Sequence, residues 1–208
     1  MWHAKKVYPI ILRSFTHKWQ DPEFLFLQGL YLYYIDHYSH KGFFYRSALS
    51  MFKKGNRDQG LTLLKNAANQ KSIAQTEALI YLSHIYLNFE GKPFEALPYS
   101  KKLAEKYPSN LKFKELYIKN LLAVGQYLEA NELLIDQLTV DNPYFKIPAL
   151  FFSGCYSLDY KQDTLSAKSK FNKCIESAIK RPSMVMYKEM SEKRLASLNQ
   201  QAKKSQPK

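Results

Sequence analysis

Small residues recur along this chain at Gly60, Ala96, Ala130 and Ala167, separated by 36, 34 and 37 residues, and each opens the same pattern. Four residues on stand Leu64, Ser100, Leu134 and Phe171; seven on stand Ala67, Leu103, Gln137 and Cys174. Positions i, i+4 and i+7 share one face of an α-helix. A small residue on that face lets a second helix approach closely, and the larger ones fill the space beside it. Gly55, Gly91 and Gly125 each lie five residues before their small residue, where a turn needing positive φ suits glycine; Gln162 holds the fourth place. The repeat therefore predicts helix–turn–helix units that bury their apolar faces against neighbouring units.

An apolar-periodic segment precedes each of these helices, at Phe43–Lys53, Thr76–Asn88, Asn110–Val124 and Ile147–Asp159. A further one, Glu23–His37, follows Asp21-Pro22, an N-cap with proline at the first helical position. Pro108 and Asn142-Pro143 close two of the units, because proline cannot continue a helix. Ser72-Ile73-Ala74-Gln75 has capping-box spacing and suits a turn equally well. With only 7 glycines in 208 residues, against 16 Tyr and 13 Phe, turn-rich β architectures are disfavoured and no strand is required.

The 34-residue spacing, the Gly-x-Tyr-x-x-Ala run from Gly125 to Ala130 and the closing Pro108 resemble the tetratricopeptide repeat. The matched units are about 42–72, 75–108, 111–142 and 147–180, preceded by a helix at 23–37 and followed by a capping helix at 183–200. In that capping helix Met184, Tyr187, Met190 and Leu195 can pack inward while Lys188, Glu189, Glu192 and Lys193 face water. No Trp opens a repeat, Gln162 replaces a turn glycine, and Ile118 stands where the first helix usually has a small residue. More narrowly, Gly29-Leu30-Tyr31-Leu32-Tyr33-Tyr34 followed by Gly55-Asn56-Arg57-Asp58-Gln59-Gly60-Leu61 is similar to a group of bacterial, often exported, tetratricopeptide proteins without assigned activity. The resemblance implies an all-α, right-handed superhelical solenoid forming one domain over 1–200. It implies a concave groove lined by first helices, bearing Tyr33, Tyr34, Tyr45, His84, Asn88, Lys112, Lys119, Phe151 and Asp159. The implied role is a non-catalytic scaffold for a protein or peptide partner, with Lys112 and Lys119 meeting its acidic groups. The family's chaperone-tail clamp has Ile80, His84, Glu115 and Lys119 at its places here, a broken set.

Charge suggests an alternative. Residues 1–20 carry four bases and no acid, residues 21–160 carry 15 bases and 14 acids, and residues 161–208 carry 12 bases and four acids. Lys170, Lys173, Arg181 and Lys188 could form a basic patch for nucleic acid or an anionic membrane. At the other end Tyr8, Ile11, Leu12, Phe15 and Trp19 form one apolar helical face, which suggests either an array that begins earlier or a homodimer. The tail 201–208 reads as disordered and basic. Cys155 and Cys174 lie among apolar neighbours and read as reduced core thiols. His37 and His40 lack a third ligand, and no phosphate loop, Cys-x-x-Cys or nucleophile–base pair is present, so neither metal, cofactor nor enzyme activity is expected. No signal peptide or membrane span is legible. The expected compartment is the cytoplasm, or the periplasm or exterior if the chain is part of a longer precursor.

Overall fold

A computed structural model describes residues 2–16, 21–138 and 143–204, and among these the regular structure is entirely helical. Eleven helices follow one another: α1 (Trp2–Thr16), α2 (Pro22–Ser39), α3 (Phe43–Leu49), α4 (Arg57–Asn69), α5 (Ala74–Asn88), α6 (Pro93–Lys106), α7 (Leu111–Ala123), α8 (Tyr127–Leu138), α9 (Pro143–Cys155), α10 (Thr164–Ile179) and α11 (Val185–Lys204). A π-helical turn, Tyr156–Tyr160, extends α9, and a 3-10 turn, Pro182–Met184, leads into α11. The chain divides into two compact units, Met1–Lys102 and Leu103–Lys208.

The small-residue register is where the helices meet. Gly60, Ala96, Ala130 and Ala167 are all buried, as are Leu64, Ser100, Leu134 and Phe171 four residues on. Ala67, Leu103 and Cys174 complete the stripe, while the Gln137 side chain lies outside the described residues, as do Trp19 and Asn142. Within the units α4 packs on α2 and α5, α8 on α7 and α9, and α10 on α9 and α11, and further contacts join α2 to α5, α7 to α9, and α9 to α11.

The first unit corrects one pairing. The sequence pattern makes Phe43–Lys53 the partner of the Gly60 helix, in a unit over 42–72. Instead α4 packs against α2, and α3 sits in the connection between them with no buried residue. The reason is backbone approach. A Cβ on Gly60 would lie 2.6 Å from the Tyr33 nitrogen, and one on Gly29 would lie 2.9 Å from the Gly60 carbonyl oxygen. A Cβ on Gly55 would lie 2.3 Å from the Asp36 nitrogen. Three glycines thus let two backbones touch, a contact that the bulky Phe43-Phe44-Tyr45 run could not make. The crossing is locked by Glu90, only 2% exposed, which receives Tyr33 Oη at 2.5 Å and Arg57 Nε at 2.8 Å and pairs a second time with the Arg57 guanidinium. Helices α2, α4 and the end of α5 therefore share one carboxylate.

In the second unit the turn geometry follows the repeat. Gly125 has φ +79, as Gly91 has φ +63 in the first, and Gln162 adopts φ +56 at the matching position. Gln162 is the chain's non-glycine residue in the left-handed region among the described residues, held there by its Nε2 donating to the Asp159 carbonyl at 3.1 Å. Gly55 is the exception, conserving the spacing for close approach rather than for positive φ. Caps start the helices: Asn56 accepts from the Gln59 amide, Asn110 from Lys112 and Phe113, and Asp163 from Ser166. Asp21 makes no such bond, although Pro22 follows it at the first helical position, and Ser72 lies in the turn before α5. Cys155 and Cys174 are free and buried. Met184 in the 3-10 turn and Tyr187 and Leu198 on α11 pack inward, with Met190 and Leu195 half-buried.

Two substitutions test the frame. Glycine to alanine inside a helix ordinarily stabilises by about 1 kcal/mol. Gly60→Ala should do the reverse and cost about 1–3 kcal/mol, because its methyl meets backbone rather than a yielding side chain. Gln162→Gly should stabilise by up to about 1 kcal/mol by relieving the left-handed strain. Urea midpoints of the two variants against the parent chain read both signs.

Candidate partner-binding faces

Each unit presents a face built from first helices. In the first unit this face is an aromatic ladder along α2 and α5. Phe26 lies 5.7 Å from Tyr81, Tyr34 lies 6.5 Å from Tyr81 and 5.9 Å from Phe89, and Tyr38 stacks on Tyr34 at 6.0 Å. Tyr45 joins through Tyr38 at 5.8 Å, and the Lys41 ammonium stands over the Tyr38 and Phe89 rings. All five ladder rings, on α2, on α5 and at its C-cap Phe89, are half-buried. Burial pushes the Tyr34 hydroxyl up to about 12, which keeps it a neutral donor.

Of the sequence-predicted groove residues in this unit, Tyr34 lies on the ladder and Tyr45 at its end. His84 and Asn88 are exposed one turn apart on α5, with Asn88 Nδ2 donating to the His84 carbonyl at 3.0 Å. Tyr33 does not belong to any open face. It is 0% exposed, enclosed between α2 and α4 with its hydroxyl spent on Glu90. Adjacent residues on a helix point about 100° apart, so when Tyr34 faces outward Tyr33 must turn toward α4. Phe26, Tyr38, Tyr81 and Phe89 were not singled out by the sequence pattern. Their spacing, Phe26 and Tyr34 to Tyr38 on α2 and Tyr81 to Phe89 on α5, is a helical stripe that bulk alone does not distinguish from core.

In the second unit a hollow of about 500 Å³ opens between α7, α9 and α11. Its lining includes Lys119 from α7, Phe151, Phe152 and Asp159 from α9 and its π turn, and Met190 and Arg194 from α11. Arg194 makes a forked contact with Asp159, Nη2 to Oδ2 at 3.1 Å and Nη1 to Oδ1 at 3.3 Å. Burial holds the Lys119 ammonium below its usual range, and Glu115 opposes that shift. Phe151 is itself buried, so it supplies floor rather than rim. Cys155 also lines the hollow, and burial pushes its thiol up to about 12, so it is no nucleophile at neutral pH.

Lys112 lies elsewhere. It borders a separate hollow of about 760 Å³ beside Tyr107, Asn110 and Phe145, and its Nζ pairs with Glu115 at 2.9 Å. Glu115 also accepts a hydrogen bond from Tyr187 Oη of α11. Lys112, Glu115 and Lys119 thus form a column of alternating charge along α7 rather than two lysines waiting for acids.

The basic patch is smaller than its sequence suggests. Lys170 is drawn inward, its Nζ donating to Ser157 Oγ at 2.7 Å and to the Ser153 carbonyl at 3.4 Å inside the widened π turn. Lys188 is half-buried and pairs with Glu192 at 3.5 Å, Arg181 is half-buried, and Lys173 is exposed. Tyr8 and Phe15 of the N-terminal apolar face pack on Tyr31 of their own chain. Among the described residues no cluster of three His, Cys, Asp or Glu side chains is placed to hold a metal. The chain matches no protein-family model, no curated protein and no solved structure.

His37 gives this face a pH signature. It stacks on Tyr33 and meets the Phe89 ring edge-on, with Nε2 buried and unpartnered, and burial, then Lys41 and Arg57, lower its pKa. The folded chain therefore refuses a proton that the unfolded chain takes up below about pH 6.5. Stability from this site is complete above that pH and falls as the solution is acidified. A His37→Phe variant should lose less stability than the parent between about pH 7.5 and about pH 5.5, read from urea midpoints.

Proposed function

We propose that this chain is a non-catalytic binding scaffold of the tetratricopeptide kind, its hairpins stacked in a right-handed superhelix that takes an extended segment of a partner protein along its first-helix face. The observation that carries the reading is the composition of the 500 Å³ hollow. It is lined by first helices and the capping helix alone, with an apolar floor of Phe151, Phe152 and Met190 and opposed charges at Lys119 and at Asp159 with Arg194. Apolar area with a few oriented polar groups is what peptide recognition uses: the rings supply contact and the charges fix register. The ladder in the first unit has the same mixture in a more aromatic form. The repeat register, the left-handed turn positions and the contacts between successive first helices support the family resemblance.

The occupant that fits is a peptide carrying an apolar side chain flanked by an acidic group for Lys119. A basic group beside it would compete with Arg194 for Asp159. The runner-up, a C-terminal basic surface for nucleic acid or an anionic membrane, is weakened because Lys170 and Lys188 are engaged within the unit.

A random peptide library displayed on phage and selected against the folded chain tests this. Selected peptides should share an apolar–acidic pattern and lose at least about tenfold in affinity to Lys119→Glu, while Lys173→Glu, on exposed α10 surface, leaves binding unchanged. Selected binders indifferent to Lys119→Glu would rule out this hollow as the site.

A further inference from the structure

The connection between α2 and α4 is longer than a helical hairpin needs, and its side chains are the reverse of what an exposed loop should carry. Two antiparallel helices can be joined by 2–5 residues, yet here the chain leaves α2 after Ser39 and enters α4 at Arg57. Every residue from His40 to Lys54 is exposed except Leu49. Within that stretch Phe43 is 88% exposed, Phe44 80% and Met51 88%.

Helical spacing explains which residues are satisfied. Tyr45 and Leu49 fall at i and i+4 of α3, with Leu49 half-buried and Tyr45, though exposed, against Tyr38 at 5.8 Å; Phe52, just past the helix, meets Tyr8 edge-on at 5.0 Å. Phe44 and Ala48, about 100° round α3 from Tyr45 and Leu49, are exposed, as is Met51 in the turn that follows, where a surface helix places polar residues. The C-terminal end is fastened at Lys53. The Lys53 carbonyl accepts from Tyr31 Oη at 2.7 Å, its amide donates to Tyr8 Oη at 3.0 Å, and its ammonium sits over the Phe15 ring at 3.7 Å. The exposed apolar side chains are thus presented by a tethered element.

The segment itself carries charge of one sign: no acidic residue occurs between Asp36 and Asp58, while Lys41, Arg46, Lys53 and Lys54 lie within it, Lys41 over the Tyr38 and Phe89 rings and Lys53 over Phe15. Beneath α3 lies a hollow of about 350 Å³, lined by Ile35, Leu49 and Phe52 together with Arg46, Lys54 and the Asp36 carboxylate. Aromatic and thioether side chains accompanied by cations complement a bilayer interface: rings enter the headgroup–acyl boundary and cations meet lipid phosphates. Among the described residues no helix is long and apolar enough to cross a membrane.

We propose that α3 and its flanks, Lys41 to Lys54, form a docking element for the surface of an anionic lipid bilayer. Phe43, Phe44 and Met51 insert, and Arg46 and Lys54 hold phosphate oxygens. This site is separate from the first-helix faces and stands independently of their partner.

The test uses the full chain and vesicles of phosphatidylcholine, alone or with about 30% phosphatidylglycerol. The chain should sediment with the anionic vesicles and not the neutral ones. Binding should weaken with salt and fall at least about tenfold in the triple variant Phe43→Ser, Phe44→Ser, Met51→Ser. Because those side chains contact solvent, that variant should keep the parent's helicity and urea midpoint. In a second variant, Met51→Cys carries an environment-sensitive dye, the native thiols being buried, and its emission should shift blue on anionic vesicles. Absence of binding, equal binding to both vesicles, or undiminished binding by the triple variant would overturn the proposal. So would parent self-association that the triple variant abolishes, since the exposed apolar side chains would then be covered by a second copy of the chain.

Discussion

Everything in the first unit depends on two helix backbones touching at Gly29 and Gly60. Dispersion and burial reward close approach, but side chains normally hold helix axes 8–10 Å apart. Removing Cβ at the crossing lets α2 and α4 come closer, which brings Tyr33 under α4 and places its hydroxyl on Glu90. That carboxylate is removed from water, so it needs both the tyrosine and the Arg57 fork. The same crossing decides what cannot pack. With α2 occupying the place beside α4, the aromatic run after Gly42 has no core to enter and is left outside.

The second unit solves the same problem differently. There alanine rather than glycine marks the second helices, at Ala130 and Ala167, and the close approach is between Gly154 of α9 and the Phe171 ring, where a Cβ would lie 2.6 Å from the ring. A ring on glycine fills space that two touching backbones would leave empty, and Phe151 and Tyr187 then gather around Phe171 and Phe151 in turn. Several polar groups are paired within the unit: Tyr187 with Glu115, Tyr117 with Glu129, and Lys170 in the π turn. The two units therefore share a register and differ in the side chains that satisfy it.

This difference shows what could be read from sequence. The spacing of Gly60, Ala96, Ala130 and Ala167 suffices for the buried stripe, because a 3.6-residue period with a small residue at its head has one structural solution. The left-handed turn at Gln162 follows from the same register even without glycine. The partner of α4 does not follow, because Glu23–His37 and Phe43–Lys53 are both apolar and nearness in sequence favours the wrong one. The discriminating signal was present as Gly29, whose pairing with Gly60 needs a helix able to come within backbone contact, and Phe43–Lys53 contains no glycine. For the faces, helical phase separates Tyr33 from Tyr34 only once the side on which α4 lies is known. Long polar side chains were harder still: Lys170 and Lys112 read as free cations until the positions of Ser157 and Glu115 are given.

The buried stripe has a further consequence for where new functions can arise. Each helix in it is constrained on the face that meets its neighbours, so a change there disturbs the packing of its unit. A connection between two helices carries no such constraint, provided its ends are held. The segment after α2 meets that condition, since Tyr31 and Tyr8 fix Lys53, and Tyr38 holds Tyr45. It can therefore expose Phe43, Phe44 and Met51 without loosening the α2–α4 crossing, whose contacts it does not share. Exposed apolar surface raises the hazard of aggregation unless a ligand or a surrounding charge limits it. The cations at Lys41, Arg46 and Lys54 repel a second copy of the same element while attracting an anionic surface, so the charge that limits self-association also selects the bilayer.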